Sequence, residues 1–186
     1  MNIAADWPPQ AEQIIPESAV KSAWATLAGE VQNHLKRCQT DGPILAIPVM
    51  NGGLYPFVEL TTRIDLPLQV DYVHATRYRD ALRGGEVEWR CWPERDFTNT
   101  TVLLIDDIFD EGYTLQAVKN RIEEQASEVI TAVLARKQHD RGLDRDWIDH
   151  YGLDVPDRFV FGCGMDLAGH WRHLNSIWAL PEGETQ

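Results

Sequence analysis

The stretch Thr101-Val-Leu-Leu-Ile-Asp-Asp-Ile-Phe-Asp-Glu-Gly-Tyr-Thr-Leu115 decides the fold. Its first five residues are β-branched or apolar on both faces, as a central strand must be when helices cover a parallel sheet from both sides. The run then meets four carboxylates within six residues: Asp106, Asp107, Asp110 and Glu111. Like charges so crowded repel one another unless cations or hydroxyls lie between them, and capping a helix needs one carboxylate, not four. Gly112 permits a sharp turn, and a helix is expected to follow over 114–125.

The ligand can be read part by part. Backbone N–H groups around Glu111, Gly112, Tyr113 and Thr114, at the start of that helix, form a cradle for phosphate, and the Thr114 hydroxyl is a further donor. Asp106 and Asp107 are expected where the strand ends, at the usual binding edge of an open α/β sheet. There, paired carboxylates can accept hydrogen bonds from a vicinal diol such as a ribose. Phosphate plus ribose suggests a sugar phosphate. The motif resembles the phosphoribosyl-pyrophosphate (PRPP) signature of type I phosphoribosyltransferases, most of all their hypoxanthine-guanine branch.

The resemblance extends to other segments. Pro48-Val-Met-Asn-Gly-Gly-Leu54 resembles the family's pyrophosphate loop, which often has a cis peptide at the position of Met50-Asn51 and commonly a lysine where this chain has Asn51. Without the resemblance it would read as a plain βα turn. It makes Met50, Asn51 and Gly52 pyrophosphate-binding. Val70 to Arg79, followed by Gly84-Gly85, resembles the flexible catalytic loop, with Arg77-Tyr78 where Ser-Tyr is usual, which makes Tyr78 catalytic. Lys137 matches a lysine that bonds the purine 6-oxo group. Arg141, four residues on, matches an arginine that reaches pyrophosphate, although Asp140 stands where proline is common. In Val155 to Asp166, Phe159 and Ile108 would cover the two faces of the base, while main-chain groups at Val160 and Asp166 would read its edge. Arg172 would meet pyrophosphate. Magnesium is the implied cofactor, held by Asp106, Asp107 and Asp166, partly through water. Asp110 is the implied proton partner of purine N7. Because Glu111 replaces a common threonine, its carboxylate is expected to turn away from the phosphate and leave the backbone to hold it.

Around these motifs the chain alternates strand and helix. Val20, Trp24, Leu27, Val31 and Leu35 mark an amphipathic helix entered after Pro16 and ended by Asp41-Gly42-Pro43. Strands are expected at Ile44–Val49, Leu68–Ala75, Glu86–Trp92, 101–105 and 129–135, with a helix over Leu54–Arg63 and short strands at Phe159–Gly162 and Ser176–Leu180. That pattern predicts an α/β fold: a mostly parallel central sheet with helices on both faces. The 186 residues read as a single domain without repeat or linker, able to bury about 70% of the unfolded surface. By resemblance its core spans roughly residues 40–150, with a flap hairpin loop and a small hood built from the N-terminal and C-terminal segments.

A formal charge of −12 without a basic cluster argues against a nucleic-acid surface. Three cysteines, Cys38, Cys91 and Cys163, with no CxxC pair, read as reduced thiols and not as a disulfide frame or zinc site. His170 and His173 lack a third ligand at suitable spacing. No secretory signal and no membrane span are evident, so a cytoplasmic protein is expected. The implied reaction is transfer of a phosphoribosyl group from PRPP to hypoxanthine or guanine in purine salvage, in a homo-oligomer, dimer or tetramer. A xanthine-preferring relative would share the same PRPP loop. A PRPP-binding regulator would need a basic face or an added DNA-binding domain.

Overall fold

The computed structural model describes residues 7–38, 42–77, 87–144 and 146–183. Its elements follow in the order β1 (Glu12–Ile15), α1 (Glu17–Arg37), β2 (Ile44–Met50), α2 (Leu54–Thr61), β3 (Leu68–Val70), β4 (Val73–Arg77), β5 (Val87–Cys91), β6 (Thr101–Phe109), α3 (Tyr113–Glu123), β7 (Glu128–Gln138), β8 (His150–Pro156), β9 (Val160–Phe161) and β10 (Ile177–Ala179). The main sheet has the order β5-β4-β2-β6-β7-β8, with β3 also beside β2. All its pairings are parallel except β4 with β5.

Two apolar layers cover the sheet. On one face the α1 stripe of Val20, Trp24, Leu27, Val31 and Leu35 is buried with Leu60 of α2 against Leu103, Ile105 and Ile130. On the other, Leu115, Val118 and Ile122 of α3 pack with Val102, Leu104 and Val133. Alternate residues of β6 thus feed opposite cores, which is why the strand reads as apolar throughout. The α/β architecture with helices on both faces is as expected. No helix among the described residues is long and apolar enough to cross a membrane.

Several boundaries differ from those expected, and one matters for function. β6 continues to Phe109, so Asp106 and Asp107 lie within the strand and not beyond its end. Pairing of β2 with β6 stops at Pro48 opposite Ile105, whereas β7 stays with β6 as far as Phe109 opposite Arg136. Past Ile105 the sheet therefore splits on the β2 side, and the acidic residues line the split. The expected strand Leu68–Ala75 is two strands in one register, with Ile44 opposite Leu68 and Met50 opposite His74. Its break falls at Asp71, whose Oδ1 accepts the Tyr72 N–H at 2.9 Å. The expected helix to Arg63 ends at Thr61, where the Thr61 and Thr62 hydroxyls bond back to the Phe57 and Val58 carbonyls.

β1 and β8 were not foreseen. β1 joins β10 and β9 in a separate antiparallel sheet of order β1-β10-β9. β8 adds an edge to the main sheet, and a polar clamp starts that pairing. Buried Thr131 donates its backbone N–H and its hydroxyl to Asp149 Oδ2, each at 2.8 Å, and the hydroxyl oxygen accepts the Asp149 N–H at 3.0 Å. Thr131→Val keeps the shape and leaves the Asp149 groups short of partners. It is expected to destabilise the protein by about 1–3 kcal/mol, seen as a lower urea midpoint at unchanged slope.

Candidate active site

The crevice where β2 and β6 part is built from three separate stretches of chain. From β2 comes the turn Met50 to Gly53, in which the Met50–Asn51 peptide is cis. From β6 come Asp106 and Asp107, and from the C-terminal region the loop at Gly164. A Cβ on Gly52 would collide with the Asp107 carboxylate, and one on Gly164 with the Gly52 carbonyl. Gly164 also has φ +108°, a backbone region that favours glycine. The turn and the loop thus close directly on Asp107.

Charge in this crevice is poorly balanced. Burial, and then the neighbouring Asp107, push Asp106 well above the usual carboxylate range. Burial also raises Asp107, offset in part by Arg172. Arg172 Nη1 stands 3.8 Å from Asp107 Oδ2 and donates to the Gly164 carbonyl at 2.7 Å, while Nη2 meets Asp166 Oδ1 at 2.5 Å. Asp166 Oδ2 also accepts the Gly169 N–H at 2.7 Å. One guanidinium therefore meets two carboxylates and a carbonyl, and carboxylate oxygens such as those of Asp106, Asp107 and Asp166 are the type of ligand a hard divalent cation takes.

Asp110 lies on the other flank, toward β7. Its carboxylate is held by Lys137 Nζ at 2.7 Å and His139 Nε2 at 2.6 Å. Lys137 and His139 are two apart at the end of a strand and so point to one side. His139 Nδ1 accepts the Arg141 N–H at 3.1 Å, which places the ring proton on Nε2, donated to Asp110. Burial alone would raise the proton affinity of Asp110, but the bond and charge of Lys137, and then the bond from His139, outweigh it, leaving the group below its ordinary range. The role of His139 was missed in the sequence, although its i, i+2 relation to Lys137 was a usable signal.

The turn after Asp110 is shaped by packing. Gly112 has φ +81°, and a side chain there would run into the Phe109 ring. α3 begins at the next residue, so Gly112 places the first helical N–H groups at the crevice mouth. Glu111 points to the flap strand: its Oε2 pairs with Arg77 Nη1 at 2.9 Å, and that guanidinium lies 4.2 Å over the Tyr113 ring. Thr114 is half-buried beside them. Tyr78 lies outside the described residues.

Other residues singled out from the sequence lie around this centre. Arg141 forms a two-pronged pair with Asp157, at 2.5 and 2.7 Å, on the loop leading to β9. Phe159 and Ile108 are half-buried. Leu180 N–H donates to the Phe159 carbonyl at 2.9 Å, so antiparallel alternation turns the Val160 backbone groups away from β10, at the free edge of the small sheet. Cys163 is buried, and burial pushes its thiol up to about 12, which suits packing and not nucleophilic attack.

A sequence model of the phosphoribosyl transferase domain matches residues 10–168. The chain belongs to the phosphoribosyltransferase family. Hypoxanthine phosphoribosyltransferase of Haemophilus influenzae is 25% identical over 168 residues, covering 88% of this chain and 92% of the relative. Hypoxanthine-guanine phosphoribosyltransferase of Streptococcus mutans is 30% identical over 140 residues, 74% of this chain and 77% of the relative. Among solved structures, a hypoxanthine phosphoribosyltransferase from Staphylococcus aureus superposes with a TM-score of 0.82 at 24% identity, covering 94% of both chains. A mutant Trypanosoma cruzi hypoxanthine phosphoribosyltransferase in a ternary substrates complex gives 0.84 at 21% identity, over 94% of this chain and 98% of that one. At those identities the structural likeness speaks for the phosphoribosyltransferase fold.

The state of Asp110 has a sign that can be checked. A carboxyl group whose folded pKa is lowered adds stability above its unfolded pKa, and that stability is lost as pH falls through the folded value. Asp110→Asn is therefore expected to lower Tm at pH 7, with the gap to the unaltered protein narrowing as the medium is acidified. A constant gap from pH 7 to the acid range would show that its charge carries none of the effect.

Proposed function

We propose that this phosphoribosyltransferase serves purine salvage, converting hypoxanthine, guanine or both, with PRPP, to the nucleoside 5′-monophosphate and pyrophosphate. The observation that carries the reading is Asp110, held ionised by Lys137 and His139 at the edge of the crevice and next to the glycine turn that opens α3. In this reading the backbone from Glu111 to Thr114 holds the 5′-phosphate, and Asp106 and Asp107 accept the ribose hydroxyls. The Met50–Gly52 turn and Arg172 face pyrophosphate, joined by Arg141 once it releases Asp157. Ile108 and Phe159 sandwich the base, whose edge is read by main-chain groups of Val160 and Asp166, and Tyr78, outside the described residues, is catalytic.

N9 of the purine attacks C1′ as the bond to pyrophosphate breaks, so positive charge grows on the sugar and then on the purine ring. A proton on N7 becomes more acidic as the N9–C1′ bond forms, and the Asp110 carboxylate is placed to take it. Lys137 keeps two of its three donors beyond the bond to Asp110, one of which can reach a 6-oxo group. The remaining catalytic task is positioning and exclusion of water from a reactive sugar cation. Asp106, Asp107 and Asp166 would hold magnesium, partly through water, and it would supply charge neutralisation for the departing pyrophosphate. The same reading makes the chain a cytoplasmic homo-oligomer, dimer or tetramer, with the three-stranded β1-β10-β9 sheet as the hood of a single domain.

Steady-state assay with hypoxanthine, guanine, xanthine and adenine tests the reading. Turnover of a 6-oxopurine is expected, with adenine very poor because its amino group offers Lys137 no acceptor in place of the oxygen. Asp110→Asn should lower kcat by about 10²-fold or more with little change in PRPP binding. Adenine turnover equal to hypoxanthine, or an unchanged kcat, would overturn the assignments of Lys137 and Asp110 respectively.

The phosphate cradle has its own test. With the Glu111 carboxylate held by Arg77, the backbone and the Thr114 hydroxyl meet the phosphate, so Glu111→Thr should leave the KM for PRPP within a few-fold or lower it. Gly112→Val should raise it strongly, since a side chain there meets the Phe109 ring and a β-branched residue is strained at φ +81°. A large rise in KM for Glu111→Thr would instead make the carboxylate part of the cradle.

A further inference from the structure

A second group of chemistry-bearing side chains collects at the opposite end of the sheet, where α1 ends and β7 and β8 begin. His34 lies in the last turn of α1, Cys38 is its C-cap, Glu128 opens β7 and His150 opens β8. β7 runs from Glu128 to Gln138, so about 30 Å of strand separates this group from Lys137 and Asp110. The phosphoribosyl transfer has no use for any of the four.

We propose that His34, Cys38 and Glu128 form a binding site for a transition-metal ion of the zinc class, with His150 orienting His34. His34 and Cys38 are four apart on α1, hence on one face, and Glu128 approaches that face from the sheet. One ligand atom from each of the three lies within 4.8 Å of the others, and His34 Nε2 is 3.6 Å from Glu128 Oε1. Ligand atoms around a tetrahedral zinc-like ion are roughly 3.5 Å apart, so small side-chain rotations close the set.

The histidine pair strengthens the case. His34 Nδ1 and His150 Nε2 are 2.9 Å apart, a distance that requires one proton between them. With that proton on His34 Nδ1, its Nε2 presents a lone pair on the Glu128 side, the tautomer a metal needs. An imidazole ligand that donates its other N–H to a fixed acceptor is the usual second layer of such sites. His150 Nδ1 in turn faces Glu30 Oε2 at 3.8 Å, which extends the chain of partners. The mixed nitrogen, sulfur and oxygen donors favour zinc or cobalt over magnesium, the reverse of the oxygen-only crevice. The negative end of the α1 dipole also favours a cation here. A bound ion would tie the end of α1 to the first residue of β7. The competing account is a hydrogen-bonded cluster that needs no ion.

Cobalt distinguishes them. The full-length protein, stripped of metal with chelator, is titrated with Co²⁺ and followed by absorption. One equivalent is expected to bind with a thiolate-to-cobalt charge-transfer band, which carboxylates of the crevice cannot produce. The band should vanish in Cys38→Ser, and affinity should fall about 10–100-fold in His150→Gln. Zinc should displace the cobalt and raise Tm of the unaltered protein but not of Cys38→Ser, whose turnover with magnesium should remain within a few-fold of normal. Absence of the thiolate band in the unaltered protein would overturn the site. So would equal cobalt affinity in Cys38→Ser or, should that variant misfold, in Glu128→Gln.

Discussion

The placement of Asp107 beside Asp106, with backbone pressed against its carboxylate, is the constraint on which the crevice depends. Gly52 and Gly164 come from segments far apart in the chain, and neither could carry a side chain without striking Asp107 or the other's neighbourhood. Arg172 then bridges Asp107, Gly164 and Asp166 from the C-terminal side. β2 leaves β6 after Pro48 opposite Ile105, just before these segments converge. The arrangement leaves two carboxylates, buried Asp107 and half-buried Asp106, short of positive charge, which is unfavourable in isolation and would become favourable were hydroxyls or a cation to arrive. Stability is given up where binding is gained.

What could be read from the sequence follows from how local each signal is. β6 and its acidic turn were legible because strand, carboxylates and glycine lie within fifteen consecutive residues, and α1 because five apolar residues recur at helical spacing. β8 was not: His150-Tyr-Gly-Leu-Asp-Val-Pro156 is an edge strand with mixed exposure, and neither an apolar run nor a clean alternation marks it. β1 is four residues long and exists through its pairing with β10, at the other end of the chain. Site residues divide the same way. Asp106, Asp107 and Asp110 announce themselves in one motif, while the Arg141–Asp157 and Arg77–Glu111 pairs are long-range choices of partner that no spacing encodes.

That last pair explains two departures together. Arg77 and Glu111 each stand where the family pattern has a small hydroxyl residue, and each taken alone puts an uncompensated charge beside a phosphate site. In the fold they neutralise one another, and Tyr113 takes the guanidinium on its ring face. A carboxylate in the proposed phosphate loop is tolerable because β4 supplies its counter-ion.

The same pattern answers how a chain of charge −12 accommodates anionic ligands. The cations singled out at the crevice already have carboxylate partners: Lys137 with Asp110, Arg141 with Asp157, Arg172 with Asp166, and Arg77 with Glu111. An arriving phosphate must share these cations or displace a carboxylate from them, so side-chain charge contributes less than a count of basic residues suggests. The first N–H groups of α3 are different, because a helix start leaves them without intrahelical acceptors and their position does not depend on any counter-ion. The backbone at Gly112 to Thr114 is therefore the part of the site that can hold a phosphate without first breaking an ion pair. In the proposed reading, a divalent cation held by Asp106, Asp107 and Asp166 would bring new positive charge to pyrophosphate.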